Sequence, residues 1–434
     1  MDDERLDAEE RPAAAPAGNA PETPAPPAAA ARPALVDRWE WTLWAMVVIQ
    51  FVMTMSFTVL SPIVPLFLPE IGVGSPGAVA LWAGILNAST PFVAAFTSPL
   101  WGRLADRRGR KLMLIRSGIA IGIFTGLMGL SWNIWFFFAM RALMGAFAGF
   151  AASAIALVAS QAPERRLGYA LGWLATGQLV GSLVGPVIGG GLADVTGSYR
   201  IPFYCTAAIA LVATALVWFA VHEHFIPPKR PAGRRSLLGG LGMLTTASGL
   251  LPLFVVLLMA QFGVRTVQPV VTLFVQELVG DVPQLATLGG IAFSITGLAD
   301  LVASPFLGKR SDVIGYRRVL LICLCGAAVT SIPQAFASSY WEFLGERFAV
   351  GLFIGGILPT ANALVGRMVP RAERGAVYGL TASASFLGNS LGPLTGGVVG
   401  ATIGLRWVFL VTAALLFANL AWVYFTVPEY REEE

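Results

Sequence analysis

The fold class this sequence predicts is an all-α polytopic membrane protein: twelve transmembrane helices in two pseudo-symmetric six-helix bundles. Three observations predict it. The 434-residue chain is 56% hydrophobic and only 12% charged, with a mean hydropathy of +0.71, whereas a soluble domain is nearer a quarter charged. Apolar runs follow one another along the chain, and at roughly 20 apolar residues per crossing there is room for about a dozen. Finally, the stretch Gly172–Gly190 (GWLATGQLVGSLVGPVIGG) returns as Gly379–Gly397 (GLTASASFLGNSLGPLTGG). Both fit Gly, eight residues, Gly, three residues, Gly-Pro, two residues, Gly-Gly.

Residues 1–36 are acidic, then Ala/Pro-rich, without an apolar run to build a core, and read as a disordered cytosolic tail with no cleavable signal. Helices are then expected near 41–67, 79–101, 112–131, 134–161, 167–193 and 200–221, and again near 247–275, 284–307, 317–337, 340–367, 374–402 and 406–427; these are spans 1 to 12. The stretch 222–246, with Pro227, Pro228, Lys229, Arg230, Arg234 and Arg235, is a linker. The expected units are therefore a tail 1–36, a bundle 37–221, a cytosolic linker 222–246, a bundle 247–427 and a tail 428–434.

Loop charges orient the spans. The loops after spans 2, 4, 6, 8 and 10 are rich in Lys and Arg (Arg103, Arg107, Arg108, Arg110, Lys111, Arg165, Arg166, Lys309, Arg310 and Arg371 among them), whereas the alternate loops hold Arg200 and Arg406. The positive-inside rule then places both termini and the linker in the cytosol. The halves repeat in the same direction: GRLADRRGRK (102–111) aligns with GKRSDVIGYR (308–317), and Arg141 with Gly145 aligns with Arg347 and Gly351. Parallel six-helix repeats are a transporter architecture with the substrate site between the halves.

Four groups of residues carry the expected function. In the template, Gly181, Gly185 and Gly189, and Gly388, Gly392 and Gly396, recur every fourth residue. They stack bare backbone on one helix face for close packing, while the prolines (Pro186, Pro393) loosen the helix at mid-length. Gly172 and Gly190 complete the first copy. In the loop after span 2, Gly102, Asp106, Arg107, Gly109 and Arg110 set one acid in a basic turn. Asp106 can cap the positive N-terminus of span 11, and Asp312 that of span 5, as a latch between halves. Ionisable residues at membrane depth form the third group: Arg141, Arg265, Asp300, Glu346 and Arg347, with the more interfacial Glu342. Such groups must face the interior and find partners. Depth favours Glu346 over Asp300 as the partner of Arg265. Asp300 lies eight residues before Gly308, about 12 Å from the cytosolic end of span 8, and a carboxyl group in hydrocarbon holds a proton more readily than one in water. Position 94, its counterpart, is Ala. The fourth group is an expected lining of a large, mostly apolar pocket: Gln50, Met53, Met55, Phe57, Asn87, Gln178, Gln261, Gln268, Phe386 and Asn389.

No Gly-x4-Gly-Lys-[Ser/Thr] loop, Gly-x-Ser-x-Gly, His-Glu-x-x-His or Cys-x-x-Cys is present. No catalytic residue, cofactor or metal is therefore expected. His222 and His224 lack a third ligand, and Cys205, Cys323 and Cys325 read as packing residues.

These motifs resemble the major facilitator superfamily over about residues 45–427. GRLADRRGRK resembles its signature between spans 2 and 3, Arg141–Gly145 the span 4 motif of its drug:proton antiporters, and Gly172–Gly190 the span 5 antiporter motif of its twelve-helix drug exporters. The resemblance implies alternating access by a rocker switch and proton-coupled export of amphipathic compounds. Span 1 lacks the membrane acid found in some members, and Lys309 and Tyr316 stand where the first loop has Arg103 and Arg110. The identity of the proton carrier therefore rests on depth. The expected partners are an amphipathic small molecule, protons and the lipid bilayer, with no nucleic acid, and the chain is expected to act as a monomer. The rival readings are an exporter dedicated to one metabolite or siderophore, and a non-transporting scaffold or sensor.

Overall fold

The computed structural model describes the backbone of residues 36–223, 225, 250–368 and 374–427, and the side chains of 39–223, 225, 251–364 and 381–427. The expected linker, apart from 222, 223 and 225, both tails, and the side chains around Arg371 and Arg374 lie outside the described residues, as does His224. Span 1 is Val36–Thr58 continued by a short helix, Ile63–Phe67, and a 3-10 turn, Leu68–Ile71. Span 2 is Pro76–Arg108, span 3 Arg110–Gly129, span 4 Ile134–Ala146 plus Phe150–Gln161, span 5 Leu167–Thr196 and span 6 Ile201–Ala220. In the second half, span 7 is Leu250–Thr266 plus Val271–Val279, span 8 Leu285–Ile314, span 9 Tyr316–Ser331, span 10 Tyr340–Met368, span 11 Arg374–Thr402 and span 12 Leu405–Thr426. Eleven of these are long and apolar enough to cross a membrane. The remaining one, span 11, is a 29-residue helix diluted by the glycines, serines and Asn389 of the repeated template.

Local sequence explains several ends. Span 2 starts with Pro76 behind Ser75, whose Oγ accepts from the Ala78 N–H at 3.2 Å. Span 4 starts behind Asn133, whose Oδ1 accepts from the Phe136 N–H at 2.8 Å; both are N-caps worth about 1 kcal/mol. Spans 2 and 8 end at Gly109 and Gly315, with φ of +93° and +97°, a backbone that other residues adopt only under strain.

The duplication is visible atom by atom. Phe67, Phe137 and Phe203 form a buried triad with ring centroids 5.3–5.9 Å apart; Phe274, Phe343 and Phe409 form its counterpart at 4.9–5.7 Å. Such aromatic pairs add about 0.5–1.5 kcal/mol each beyond area burial. Thr90 Oγ1 donates to the Arg141 carbonyl at 3.1 Å and Thr296 Oγ1 to the Arg347 carbonyl at 3.3 Å. Arg200 donates to the carbonyls of Gly129 and Ser131, and Arg406 to those of Ala335 and Ala337.

One end of the molecule carries Arg103–Lys111 and Lys309–Arg318, the basic end; Ser75, Asp194 and Leu285 mark the far end. Hydrophobic packing differs between them. Toward the basic end each half has its own core: one around Leu43, Met46, Leu114, Phe150 and Ala213, the other around Leu253, Leu257, Leu320, Ile357 and Leu416. Toward the far end a single core runs through both halves, joining Ile63, Phe67 and Leu86 to Val271, Phe274, Ala286 and Phe343.

Candidate functional site

The repeated template builds the seams of the molecule. On span 5, a Cβ at Gly181, Gly185 or Gly189 would lie 2.0–2.4 Å from Phe51, Thr58 or Val59 of span 1. On span 11, one at Gly388, Gly392 or Gly396 would lie 1.8–2.8 Å from atoms of Leu258, Phe262, Arg265 or Thr266 of span 7. The last glycine of each template turns the other way. Gly190 rests against Ala286 of span 8, with 2.1 Å from an added Cβ to the Ala286 carbonyl oxygen, and Gly397 against Ala80 of span 2. Gly290 and Gly84 return the contact to the carbonyls of Pro186 and Pro393. One motif thus packs its own bundle on one face and docks the other bundle on the next. Gly172 and Gly102 have open space around them, so neither is required for close approach in this state.

Every hydrogen bond between the halves among the described residues lies in the far half of the molecule. Ser390 Oγ donates to the Ala88 carbonyl at 3.2 Å, and Ser294 Oγ to the Leu183 carbonyl at 2.5 Å. The Asp194 carboxylate accepts from the Ala286 N–H, the Thr287 N–H and the Thr287 hydroxyl. At the basic end, Asp106 is exposed and has no hydrogen-bond donor among the described residues, and Asp312 accepts from the hydroxyl of Tyr316 in its own loop. Neither Asp106 nor Asp312 contacts the opposite half among the described residues. The turn after span 2 is instead tied within its own bundle. Glu223, just past span 6, accepts from the Arg110 and Lys111 N–H groups at 2.8 and 2.7 Å and so caps span 3. Sequence reasoning missed Glu223; its signal is a lone acid beside His222 at the end of span 6.

The membrane-depth charges are placed as follows. Arg141 and Arg347 are buried at 9% and 8% exposure, on equivalent turns of spans 4 and 10. The Arg141 guanidinium lies 6.0 Å from the Phe137 ring and its Nε is buried without an acceptor among the described residues; Arg347 Nε donates to the Ala292 carbonyl at 3.3 Å. Arg265 does not pair with Glu346 as depth suggested. Its Nε donates to Asn389 Oδ1 at 3.0 Å, because Gly392 brings span 11 against Arg265 itself and sets Asn389 within reach. Its side chain is otherwise exposed, although it lies in the middle of span 7. Glu346 Oε2 is buried with no donor among the described residues. Glu342 caps locally, accepting from the Ser338 N–H at 2.9 Å and its hydroxyl at 3.0 Å. Asp300, half-buried, lies against span 10 where Gly355 leaves room, 2.7 Å from where a Cβ would be.

The first half answers that position differently. Span 4 breaks at Phe147–Gly149, with Gly149 at φ +124°. Arg116 of span 3 donates to the freed carbonyls of Phe147 and Ala148 at 3.2 and 2.9 Å and stacks on Trp101 at 3.5 Å. Its counterpart in the second half is Ile322, and span 10 runs on unbroken. Arg116 was not among the residues expected from the sequence. Its signal was a basic residue inside an apolar run with no counterpart in the other half.

The expected lining is corrected in part. Met53, 1% exposed, packs on span 3 beneath Gly118. Gln50, 3% exposed, donates to Thr54 of its own helix, and Met55 lies in the shared core. All three are therefore buried in this state, Gln50 and Met53 within the first bundle and Met55 in the core shared by both halves. Asn87 Nδ2 returns to the Ala83 carbonyl and Gln261 is buried beside Gly388. Gln178 is exposed, Gln268 and Phe386 are half-buried, and Phe57 is 39% exposed. Of the cysteines, Cys323 is buried as expected for a packing residue, whereas Cys325 is exposed.

The sequence profile of the Major Facilitator Superfamily matches residues 46–281 and 253–434. The chain is 36% identical to the multidrug resistance protein MdtG of Yersinia enterocolitica over 89% of its own length and 93% of the relative's. Against the MdtG of Serratia proteamaculans it is 37% identical over the same shares, 89% and 93%. Against that of Proteus mirabilis it is 35% identical over 91% and 98%. Its fold is similar to that of a D-xylose-proton symporter, with TM-score 0.75, 14% identity and coverage of 90% and 98% of the two chains. It is also similar to that of a bacterial homologue of the lysosomal transporter Spinster in an inward-facing, occupied conformation, with TM-score 0.71, 15% identity and coverage of 91% and 97%. With its paired bundles, duplicated seams and near full-length relatives, the chain belongs to the major facilitator superfamily.

Proposed function

We propose that the chain exports hydrophobic and amphipathic small molecules, drugs included, in exchange for protons, by rocking its two bundles about the site between them. The observation that carries this is the division of the packing: one core shared by both halves at the far end, two separate cores at the basic end. That is the arrangement of one of two alternating states, and the template supplies the close seams on which the bundles turn. The multidrug resistance relatives bring the substrate class.

In this reading the basic end faces the cytosol of a bacterium, the protein sits in the inner membrane with both termini inside, and it acts as a monomer without chemical change to its cargo. The moving bodies are 37–221 and 247–427, joined by 222–246 and flanked by tails 1–36 and 428–434. The structure described here then faces inward. Arg265 and Asn389, with Gln178, Gln268 and Phe386, offer polar and aromatic handles to the cargo. Arg141, with its buried unpartnered Nε, Arg347 and Glu346 are charges whose burial is costly until a mobile partner arrives. Asp300, with room beside Gly355 and no counterpart in the first half, exchanges the proton. Asp106 and Asp312 become latches when the basic end closes. Entering protons contribute about 2.3 kcal/mol per charge per 100 mV, plus the pH gradient.

Reconstituted vesicles test this. Drugs of the efflux class are expected to drive substrate-dependent proton movement. Asp300→Asn is expected to abolish that movement while substrate still binds. Unchanged proton flux in the variant removes Asp300 from the mechanism. Absence of flux across a broad compound panel favours a scaffold, and flux with one metabolite alone favours a dedicated exporter.

A further inference from the structure

Asp194 stands in the last turn of span 5, where a carboxylate opposes the negative end of its own helix dipole. Nothing in its own bundle explains it. In the structure it crosses to the other half. Oδ1 accepts from the Ala286 N–H at 3.2 Å, and Oδ2 accepts from the Thr287 N–H at 2.7 Å and the Thr287 hydroxyl at 2.5 Å. Span 8 begins at Leu285, and its own N-cap residue, Gln284, makes no side-chain cap. The first-turn N–H groups of span 8, unsatisfied within any helix, thus receive their acceptor from the opposite bundle. The carboxylate is misplaced for the helix that carries it and well placed for the one it meets.

The pseudo-symmetric seam lacks this device. The counterpart of Asp194 is Ala401, whose carbonyl simply rests near Gly77, and span 2 is capped by its own Ser75. The contact closes only while Gly190 and Gly290 lie against Ala286 and Pro186; parting the seam strips the carboxylate of three donors at once. We infer that Asp194 is a positioning residue of the transport cycle: a latch at the outer end of the span 5–span 8 seam that holds the inward-facing state. It is the opposite number of Asp106 and Asp312 at the inner end. The inference rests on the alternating-access reading, but it is tested by distances without cargo, so it stands or falls apart from drug export.

The test is double electron–electron resonance on the full chain, with its native cysteines replaced. One label pair, at Trp132 and Ile403, spans the outer end; a second, at Arg108 and Val313, spans the inner end. Losing a charged cap of this kind is expected to move the ratio of the two states about 5- to 30-fold. In Asp194→Ala the outer distance lengthens and the inner one shortens; Thr287→Val moves both the same way by less. Asp106→Asn, which removes an inner latch, moves them oppositely, and combining it with Asp194→Asn returns the distribution toward the parent, which a merely damaged fold would not do. Should Asp194→Ala fail to fold, Thr287→Val and the double variant decide. Parent-like distances in Thr287→Val and in every folded Asp194 variant overturn the proposal.

Discussion

At the scale of single residues, the duplicated contacts separate what the fold needs from what the cycle needs. Arg200 and Arg406 perform the same task twice, tying the end of span 3 or span 9 and pairing with Glu70 and Glu277 at 3.5 and 3.0 Å. Both ion pairs are largely exposed and contribute little beyond the backbone hydrogen bonds. The residues without a twin are the informative ones: Arg116, Asp300, Asp194, and Arg265 with Asn389. The sequence made Asp300 legible because an acid inside an apolar run is costly wherever it points. It misassigned the partner of Arg265, because depth along a helix says nothing about azimuth, and Gly392 settles azimuth by drawing span 11 close. Arg265 and Asn389 give a prediction at this scale. Asn389→Leu removes the acceptor that fixes the guanidinium and is expected to weaken substrate binding by about 0.5–1.5 kcal/mol. Titration of a bound fluorescent substrate into the parent, Asn389→Leu, Arg265→Gln and the double variant measures the coupling. Strictly additive losses would mean that the pair does not act as a unit on the cargo.

At the scale of elements, spans 5 and 11 are where sequence and structure agree most closely. Glycine every fourth residue specifies a groove, and the groove is there in both bundles. What the spacing could not show is that Gly190 turns out of the groove toward the other half, since a helix presents 100° steps and one residue further on is another face. The breaks in spans 1, 4 and 7 fall at Pro62, Gly149 and Pro269, breakers that the sequence does carry. The expected helices ran through them because a membrane helix tolerates proline and glycine where neighbours re-satisfy its carbonyls, so a breaker alone does not say whether the helix stops. The two faces of the template predict two different failures. Gly189→Val drives a side chain into the Val59 carbonyl inside one bundle and is expected to lower the yield of folded protein, overpacking of this kind costing about 1–3 kcal/mol or more. At Gly190 the three atoms nearest an added Cβ all belong to Ala286 and Thr287 of the opposite bundle. Gly190→Val is expected to fold with parent-like thermal stability in detergent while the far end stays open. Size-exclusion profiles and thermal melts separate the two; equal destabilisation by both would show that the seams are not functionally distinct.

At the scale of the whole molecule, the two-bundle architecture follows from the duplication, but which end is closed does not. The same residues must serve both states, so the sequence encodes two sets of seams and leaves their occupancy to energetics. The structure occupies the far-end set, with a shared core from Ile63 to Phe343 and Asp194 docked on span 8. Whether that state receives cargo or releases it depends on which side of the membrane the far end faces, and the loop charges predict the answer. Cysteine placed at Val195, 88% exposed at the far end, is expected to react with a membrane-impermeant maleimide in intact cells. Cysteine at Val313, 78% exposed at the basic end, should react only after permeabilisation. With that outcome the end where each half has its own core faces the cytosol, and compounds reach Arg265 and Asn389 from inside. The opposite labelling would make this the releasing state of an exporter, or the loading state of an importer, and would reverse the assignment of inner and outer latches together. The two labelling sites therefore fix, with one reagent and independently of any substrate, which side of the membrane each end of the molecule faces.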